Sequence, residues 1–370
     1  MSRDKIGGEY GEVRASIDVH SLNKYLGLYS KEIRAPVEVK QFKYGQSNPT
    51  YFLTDASGTR FVMRKKPDVL EAIHINNTRN NCKPPIPIPR PILLCEDRSI
   101  IGTPFYVMEF LDGRIFSDPR MLEISKEERR ECWLSAVKSL AALSSLVPSE
   151  VGLENFGPRT PYFPRQIKSL SKVSQAQAKA IDLETKQPVG PIPDYHQMIT
   201  WYQEHLPDER KTGLRIVHGD YKIDNLVFHP TEPRVIGILD WELCTLGSPL
   251  ADLANLLMPY HIDPTEMPPP SAFSGLKGQP PEEVPCSLEE LERTFCNEFG
   301  MPYPITDMVF VNSWMLFRLS IISQGIAARY AQRQASSANA KAQGDRFPLI
   351  GRMAKRLMLE GSSTRPKAKL

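Results

Sequence analysis

Apolar and polar positions change period several times along this chain, and each change marks an element. Val37–Tyr44, Tyr51–Thr54 and Arg60–Lys65 are short runs rich in β-branched and aromatic residues, and Asp55-Ala56-Ser57-Gly58-Thr59 separates the last two with turn chemistry. Such runs predict strands. Alternation over Arg60–Lys65 puts Val62 and Arg64 on one face, and Phe61, Met63 and Lys65 on the other. Further strands are expected at Ile92–Cys95 and Thr103–Phe110. Between Pro84 and Pro91, five prolines make an extended connector. Beyond residue 110 the period becomes helical. Ser125-Lys126-Glu127-Glu128 is a capping box, and Trp133, Val137, Leu140 and Leu143 recur on one face behind it. Helical spacing returns at Tyr195–Leu206 and Trp314–Tyr330, and a short helix is expected within Ser16–Tyr29. Asn155–Ile167 is aperiodic, Ser169–Gly190 reads as a polar, mobile helix or an insertion, and Ile262–Cys286 reads as a Pro/Gly/Ser-rich loop on the substrate side.

One stretch combines pattern with chemistry. Two apolar runs, Leu226–Phe228 and Val235–Leu239, flank Pro230-Thr231-Glu232-Pro233 and predict a hairpin. With the turn centred between Glu232 and Pro233, Leu226 faces Leu239 and Asn225 faces Asp240. Directly opposed residues hold their Cβ atoms roughly 4.5–5.5 Å apart. An amide oxygen and a carboxylate then converge at the open end of the hairpin, with Asp220 on the loop before it. That oxygen-rich corner suits Mg²⁺, a hard cation held by a few side chains plus substrate phosphates. A separate Asp beside such a site can orient or deprotonate an attacking hydroxyl.

The order His218-Gly219-Asp220, then Asn225, then an apolar strand ending in Asp240-Trp241-Glu242 resembles the aminoglycoside phosphotransferase superfamily, which is protein-kinase-like. Tyr162-Phe163-Pro164-Arg165-Gln166 and the F-R-L-x-x-I-x-x-G-I-x-x-R pattern of residues 317–329 resemble the branch of kinase-like domains attached or related to acyl-CoA dehydrogenases. The resemblance spans about Val37–Tyr330. It implies an α+β, protein-kinase-like bilobal fold with an antiparallel-sheet N-lobe over 37–110 and a mostly helical C-lobe over 111–360. An N-terminal extension, 1–36, and a tail, 361–370, flank these lobes. The implied cofactors are ATP and Mg²⁺, with Asp220 as the catalytic residue and Asn225 and Asp240 on the metal. Gly45, Gln46, Ser47 and Asn48 match the loop that covers the nucleotide phosphates, where backbone N–H groups and small hydroxyls approach closely. Of the basic residues on the third strand, Arg64 is favoured to reach the α/β-phosphates, with Lys65 as the alternative. Glu109 and Phe110 sit where a hinge would present backbone groups to adenine. In this fold a helical Glu pairs with the strand base. Here the segment is the Asn-rich Pro67–Lys83, predicted short or irregular, and its only Glu is Glu71. Either Glu71 takes that role, or the pair is missing, or part of the helix has been lost.

Gly247–Ala254 resembles the family's G-x-P-x-x-D-L-A and makes Asp252 a structural residue, capping its helix or bonding the backbone of the catalytic loop. Arg165 reads either as a contact to a substrate phosphate or carboxylate, or as a structural pair. Arg318 lies in an apolar helix, where an unpaired cation is costly, so it is expected to tie to a carboxylate inside the C-lobe.

Composition narrows the function. Net charge is +3, from 46 Lys+Arg against 43 Asp+Glu, and no basic stripe with interleaved aromatics occurs, so nucleic acid is not an expected partner. No apolar run approaches the roughly 18 residues of a membrane span, and the first residues lack an apolar core, so no secretory signal is expected. The six cysteines form no C-x-x-C pair, which argues against zinc or disulfides and for reduced, intracellular thiols. The expected function is ATP-dependent phosphorylation of a small-molecule hydroxyl, and the branch implies a hydroxylated acyl-CoA as acceptor. The alternatives are a non-catalytic pseudokinase that binds nucleotide or acyl-CoA, which would not need Asp220, Asn225 and Asp240, and an antibiotic kinase, which would favour a more acidic rim. Ala368-Lys369-Leu370 is a variant of the Ser-Lys-Leu peroxisomal address, so a peroxisomal location through the import receptor is expected, with the cytoplasm as the alternative.

Overall fold

Alternation along the third strand sorts the N-terminal lobe into two faces. The computed structural model describes residues 10–11, 17–42, 50–65, 86–267, 275–335 and 339–364. Gly45, Gln46, Ser47, Asn48, Glu71 and Ala368–Leu370 lie outside the described residues, as does the side chain of Lys65. An antiparallel sheet is built from β1 (Tyr10–Gly11), β2 (Glu38–Phe42), β3 (Tyr51–Thr54), β4 (Arg60–Lys65), β5 (Pro91–Cys95) and β6 (Phe105–Glu109), in the order β1-β2-β3-β4-β6-β5. Phe61, Met63, Phe105 and Val107 point to one face and pack with Leu22 and Leu26 of α1 (Val19–Tyr29). Asp18 caps that helix, its carboxylate accepting from the Ser21 amide at 2.9 Å. Leu22, Leu26 and Ile33 therefore contribute to the N-lobe core. Val62, Tyr106 and Met108 point to the opposite face and join the C-lobe core. The sheet is thus covered by α1 outside and faces the interlobe cleft inside.

Between β5 and β6 lies the short α2 (Arg98–Ile101). The proline connector before β5 lies against the C-lobe, where the Pro87 carbonyl accepts from the Ile238 amide at 2.8 Å. After β6 the chain crosses at Gly113–Arg114. Arg114 and Phe228 exchange both backbone hydrogen bonds at 2.8 Å.

The C-lobe contains α3 (Lys126–Ser145), α4 (Tyr162–Ala178), α5 (Tyr195–Glu204), β7 (Arg215–Val217), β8 (Leu226–Phe228), β9 (Val235–Ile238), β10 (Thr245–Gly247), α6 (Leu250–Leu257), α7 (Leu288–Phe299), α8 (Met308–Ala331), α9 (Ala340–Gly344) and α10 (Phe347–Thr364). Ser125 caps α3, its hydroxyl accepting from the Glu128 amide at 3.2 Å, and Trp133, Val137, Leu140 and Leu143 are buried as the periodicity predicts. The central helix is α8, packed by α4, α6, α9 and α10. Among the described residues it is the one helix long and apolar enough to cross a membrane, yet 78% of its apolar window is buried inside the lobe. It is the C-lobe's core helix.

Two expectations need correction. The aperiodic Asn155–Ile167 ends inside a helix, because α4 starts at Tyr162. Pro164 is tolerated since the amides of the first turn have no partner within the helix. The cap comes from Glu209, far along the chain, whose carboxylate accepts from the Tyr162 and Phe163 amides at 2.7 and 2.9 Å. Nor is Ser169–Gly190 an unanchored insertion. Ser174 donates to Gln324 of α8 at 2.7 Å, and Gln324 in turn donates to the Gly190 carbonyl at 2.8 Å. At the other end, α10 runs to Thr364.

Candidate active site

The candidate site starts where β7 ends. Pairing of Val217 with Thr245 holds the strand, and the chain then turns sharply through His218 and Gly219. Gly219 has φ +87°, and a Cβ there would lie 2.5 Å from the Leu243 carbonyl oxygen, so the turn requires glycine. Asp252 of α6 accepts from the amides of His218 and Gly219 at 2.6 and 2.8 Å. This is the second of the two structural roles the sequence left open for it. Burial pushes its carboxyl up to about 7, against the pull of the two amides. From α8, Arg318 donates to the Gly219 carbonyl at 3.0 Å. That partner is a backbone oxygen, not the carboxylate expected from the sequence.

His218 is buried and completes the loop. Its Nε2 lies 2.8 Å from the Leu239 carbonyl oxygen, and its Nδ1 accepts from the Asp220 amide at 3.2 Å. A carbonyl partner on one nitrogen and an N–H on the other require the neutral Nε2–H tautomer. Burial accordingly drives its pKa down to about 4.

Asn225 is joined to Asp220, and Asp220 and Asp240 line one cavity, but Asn225 and Asp240 do not face each other as expected. Observed pairs are Leu226 with Ile238, Val227 with Gly237, and Phe228 with Val235 across a bulge. Asn225 therefore faces Leu239, whose amide donates to the Asn225 carbonyl at 2.8 Å, and Asp240 stands one residue beyond the predicted pair. The cause lies in the turn. The His229 ring accepts from the amides of Thr231 and Glu232, and the His229 amide donates to Arg234, which makes the turn asymmetric. Asp240 takes up the offset with φ +70°. A 3₁₀ turn, Ile223–Asn225, swings Asn225 back so that its Nδ2 donates to the Asp220 carbonyl and carboxylate at 2.8 and 3.0 Å. The Asn225 Oδ1 is left free of Asp220.

Arg64 reaches this centre from the N-lobe. Its guanidinium pairs with Asp240 at 2.7 Å and with Glu242 at 3.5 Å. Lys222 lies 3.5 Å from the Asp220 carboxylate and 3.3 Å from that of Asp224. Sequence reasoning passed over Glu242 and Lys222. Both stand in the motif itself, two residues after Asp240 and Asp220, and only the fold shows what they face.

Glu109 and Phe110, the residues of the expected hinge, both have partners in the N-lobe. The Glu109 amide donates to the Arg90 carbonyl at 3.0 Å and its carboxylate accepts from the Arg90 amide at 2.9 Å, so its N–H is already engaged. Phe110 packs edge-on against Phe52 at 5.3 Å. Arg165 donates to the carbonyls of Pro158, Thr160 and Leu246, which settles it as structural.

A cavity of about 400 Å³ opens beside Asp220. Asp220, Lys222, Asp224, Asp240, Glu242 and Arg318 form its polar side, and Leu256, Met258, Ile262, Leu319 and Ile322 its apolar side. Among the described residues no group of three or more His, Cys, Asp or Glu could hold a metal. Carboxylate and amide oxygens such as those of Asp240 and Asn225 are the donor types taken by a hard cation that draws most of its ligands from phosphate and water.

Comparison with known proteins agrees with this geometry. Residues 38–279 match the phosphotransferase enzyme family. The chain is 36% identical over 341 residues to acyl-CoA dehydrogenase family member 10 of Mus musculus, covering 89% of this chain and 30% of that protein. It is 37% identical over 323 residues to acyl-CoA dehydrogenase family member 11 of Rattus norvegicus, covering 85% and 39%. The chain thus spans well under half the length of these relatives. A crystal structure from Ralstonia eutropha, assigned as an aminoglycoside phosphotransferase, matches with TM-score 0.77 and 32% identity, over 93% of this chain and 99% of that one. The GDP complex of aminoglycoside 2'-phosphotransferase-IIIa shares the fold, with TM-score 0.55, 15% identity and coverage of 91% and 98%.

Proposed function

The chain belongs to the phosphotransferase enzyme family, and from that premise we propose that it transfers the γ-phosphoryl group of ATP to a hydroxyl of a small molecule. The observation that carries this reading is that Asp220, joined to Asn225, and Asp240, met by Arg64 from the other lobe, line one cavity. A new bond forms between the acceptor oxygen and the γ-phosphorus, the bond to the β–γ bridging oxygen breaks, and ADP leaves. Asp220 orients the acceptor hydroxyl and takes its proton. Asn225, through Oδ1, and Asp240 would hold Mg²⁺, which when bound neutralises phosphate charge. Arg64 sits close enough to Asp240 to steady the same phosphates. Asp252 holds the amides of His218 and Gly219 and so sets the direction of Asp220.

For the acceptor we propose a hydroxylated acyl-CoA. The likeness to proteins named as acyl-CoA dehydrogenase family members supports this, as does the apolar half of the cavity beside Asp220. The test is acceptor-dependent formation of ADP from ATP, with ³¹P spectra of the product. A hydroxyacyl-CoA should be phosphorylated and the matching non-hydroxylated acyl-CoA should not. Faster transfer to an aminoglycoside would favour an antibiotic kinase. ATP binding with no transfer to any acceptor would favour a pseudokinase.

A further inference from the structure

The charged side chains lining the cavity divide unevenly. Asp220 and Asp224 are paired with Lys222, at 3.5 and 3.3 Å. Asp240 and Glu242 are paired with Arg64, at 2.7 and 3.5 Å. Arg318 is the exception. Among the described residues no carboxylate lies within ion-pair distance of it, and its hydrogen bond goes to the Gly219 carbonyl through Nη2 alone. The nearby buried carboxylate, Asp252, is committed to two backbone amides. Leu319 and Ile322, from the same helix, line the cavity beside it.

A guanidinium has five N–H donors, and a half-buried one without a counter-charge is costly. A carbonyl oxygen satisfies one donor without balancing the charge. We propose that Arg318 is a specificity-determining residue for the acceptor. It binds an oxyanion or carbonyl oxygen of the acceptor, while the acceptor's hydrocarbon chain lies along Leu319, Ile322, Met258 and Ile262. The class selected is an amphipathic hydroxy acid or its thioester, with the hydroxyl at Asp220 and the carboxyl-derived group at Arg318. This rests on the phosphotransferase reading and deepens it.

The test uses the full chain with matched acceptors, namely hydroxydecanoates differing in hydroxyl position, their CoA thioesters and the corresponding neutral diols. Wild type, Arg318→Met and Arg318→Lys are compared for acceptor KM, kcat and KM for ATP, with acceptor binding measured separately by calorimetry. Arg318→Met should raise KM for the acid or thioester about tenfold or more, the usual worth of a charge-assisted contact. KM for the diols and for ATP should stay within about twofold, and Arg318→Lys should recover part of the loss. Acid and thioester arms separate a free carboxylate from an acyl carrier as the preferred source. An equal loss on every acceptor, seen only in kcat, would make Arg318 a backbone prop and overturn the proposal. So would unchanged discrimination. If no acceptor is phosphorylated, the proposed transfer to these acceptors fails by itself. Calorimetry still decides the proposal, because acid or thioester binding lost in Arg318→Met upholds it and binding unaffected by the substitution refutes it.

Discussion

His218 shows how one residue can carry both geometry and pH dependence. Its two hydrogen bonds fit only the neutral ring, and burial holds its pKa down to about 4. An unfolded chain would protonate it near 6.5. Between those values the unfolded state binds a proton that the folded state refuses, so the contribution of His218 to stability falls as pH drops from about 6.5 to about 4, opposite in sign to that of Asp252, whose carboxyl is raised to about 7. The full effect is at most about 3 kcal/mol, since each tenfold change in proton affinity is worth roughly 1.4 kcal/mol. His218→Gln should be less stable at neutral pH and, relative to the wild type, lose less stability as pH falls across that window. Unfolding curves of both proteins from pH 4 to pH 7 check this, and parallel profiles would show that His218 does not titrate against folding. Asp220, Asn225 and Asp240 stood out because their order resembles a phosphotransferase motif, and alternation gave the face of Arg64, whereas the facing of Asn225 was not legible. Arg318 was legible as an oddity in an apolar helix, but its partner was not. A backbone carbonyl 99 residues away leaves no trace in composition or period.

Elements were legible where periodicity or turn chemistry is local. The strands, α1, α3 and the central helix follow from it. The hairpin register did not, because a side chain within the turn, His229, organises the amides of Thr231 and Glu232 and shifts the pairing. The start of α4 was hidden for a similar reason, since its cap is Glu209. Close approaches between elements suggest a sharper test. A Cβ on Gly113 would lie 2.4 Å from the Phe228 carbonyl oxygen, which is fixed by its bond to the Arg114 amide. A Cβ on Gly237 would meet only the end of the Leu111 side chain, at 2.1 Å. Gly113→Ala should therefore destabilise by about 1–3 kcal/mol, as overpacking against fixed atoms does, and Gly237→Ala by clearly less. Urea denaturation of the two variants decides, and a larger loss at Gly237 would contradict this picture of the lobe junction.

At the scale of the whole molecule, the N-lobe sheet lies between its own core with α1 and the cleft, and besides the packing of Val62, Tyr106 and Met108, three polar connections among the described residues join it to the C-lobe. They are the Gly113–Arg114 crossing, the proline connector on Ile238, and the Arg64 ion pairs. Only the last involves groups assigned to nucleotide binding. Arg64→Met should thus weaken ATP affinity by about tenfold, the scale of a lost charge-assisted contact, and titration of the variant with ATP measures it. Unchanged affinity would remove Arg64 from the phosphate site.

The central claim is that Asp220 handles the acceptor hydroxyl in a phosphoryl transfer whose nucleotide is held by other residues. The most direct measurement is turnover by Asp220→Asn beside the wild type, on one phosphorylated acceptor, with ATP affinity measured on both. Turnover should fall by at least about 10²-fold, the usual worth of general-base catalysis, while ATP affinity stays within a few-fold. An Asp220→Asn protein that transfers phosphate at the wild-type rate would contradict the account.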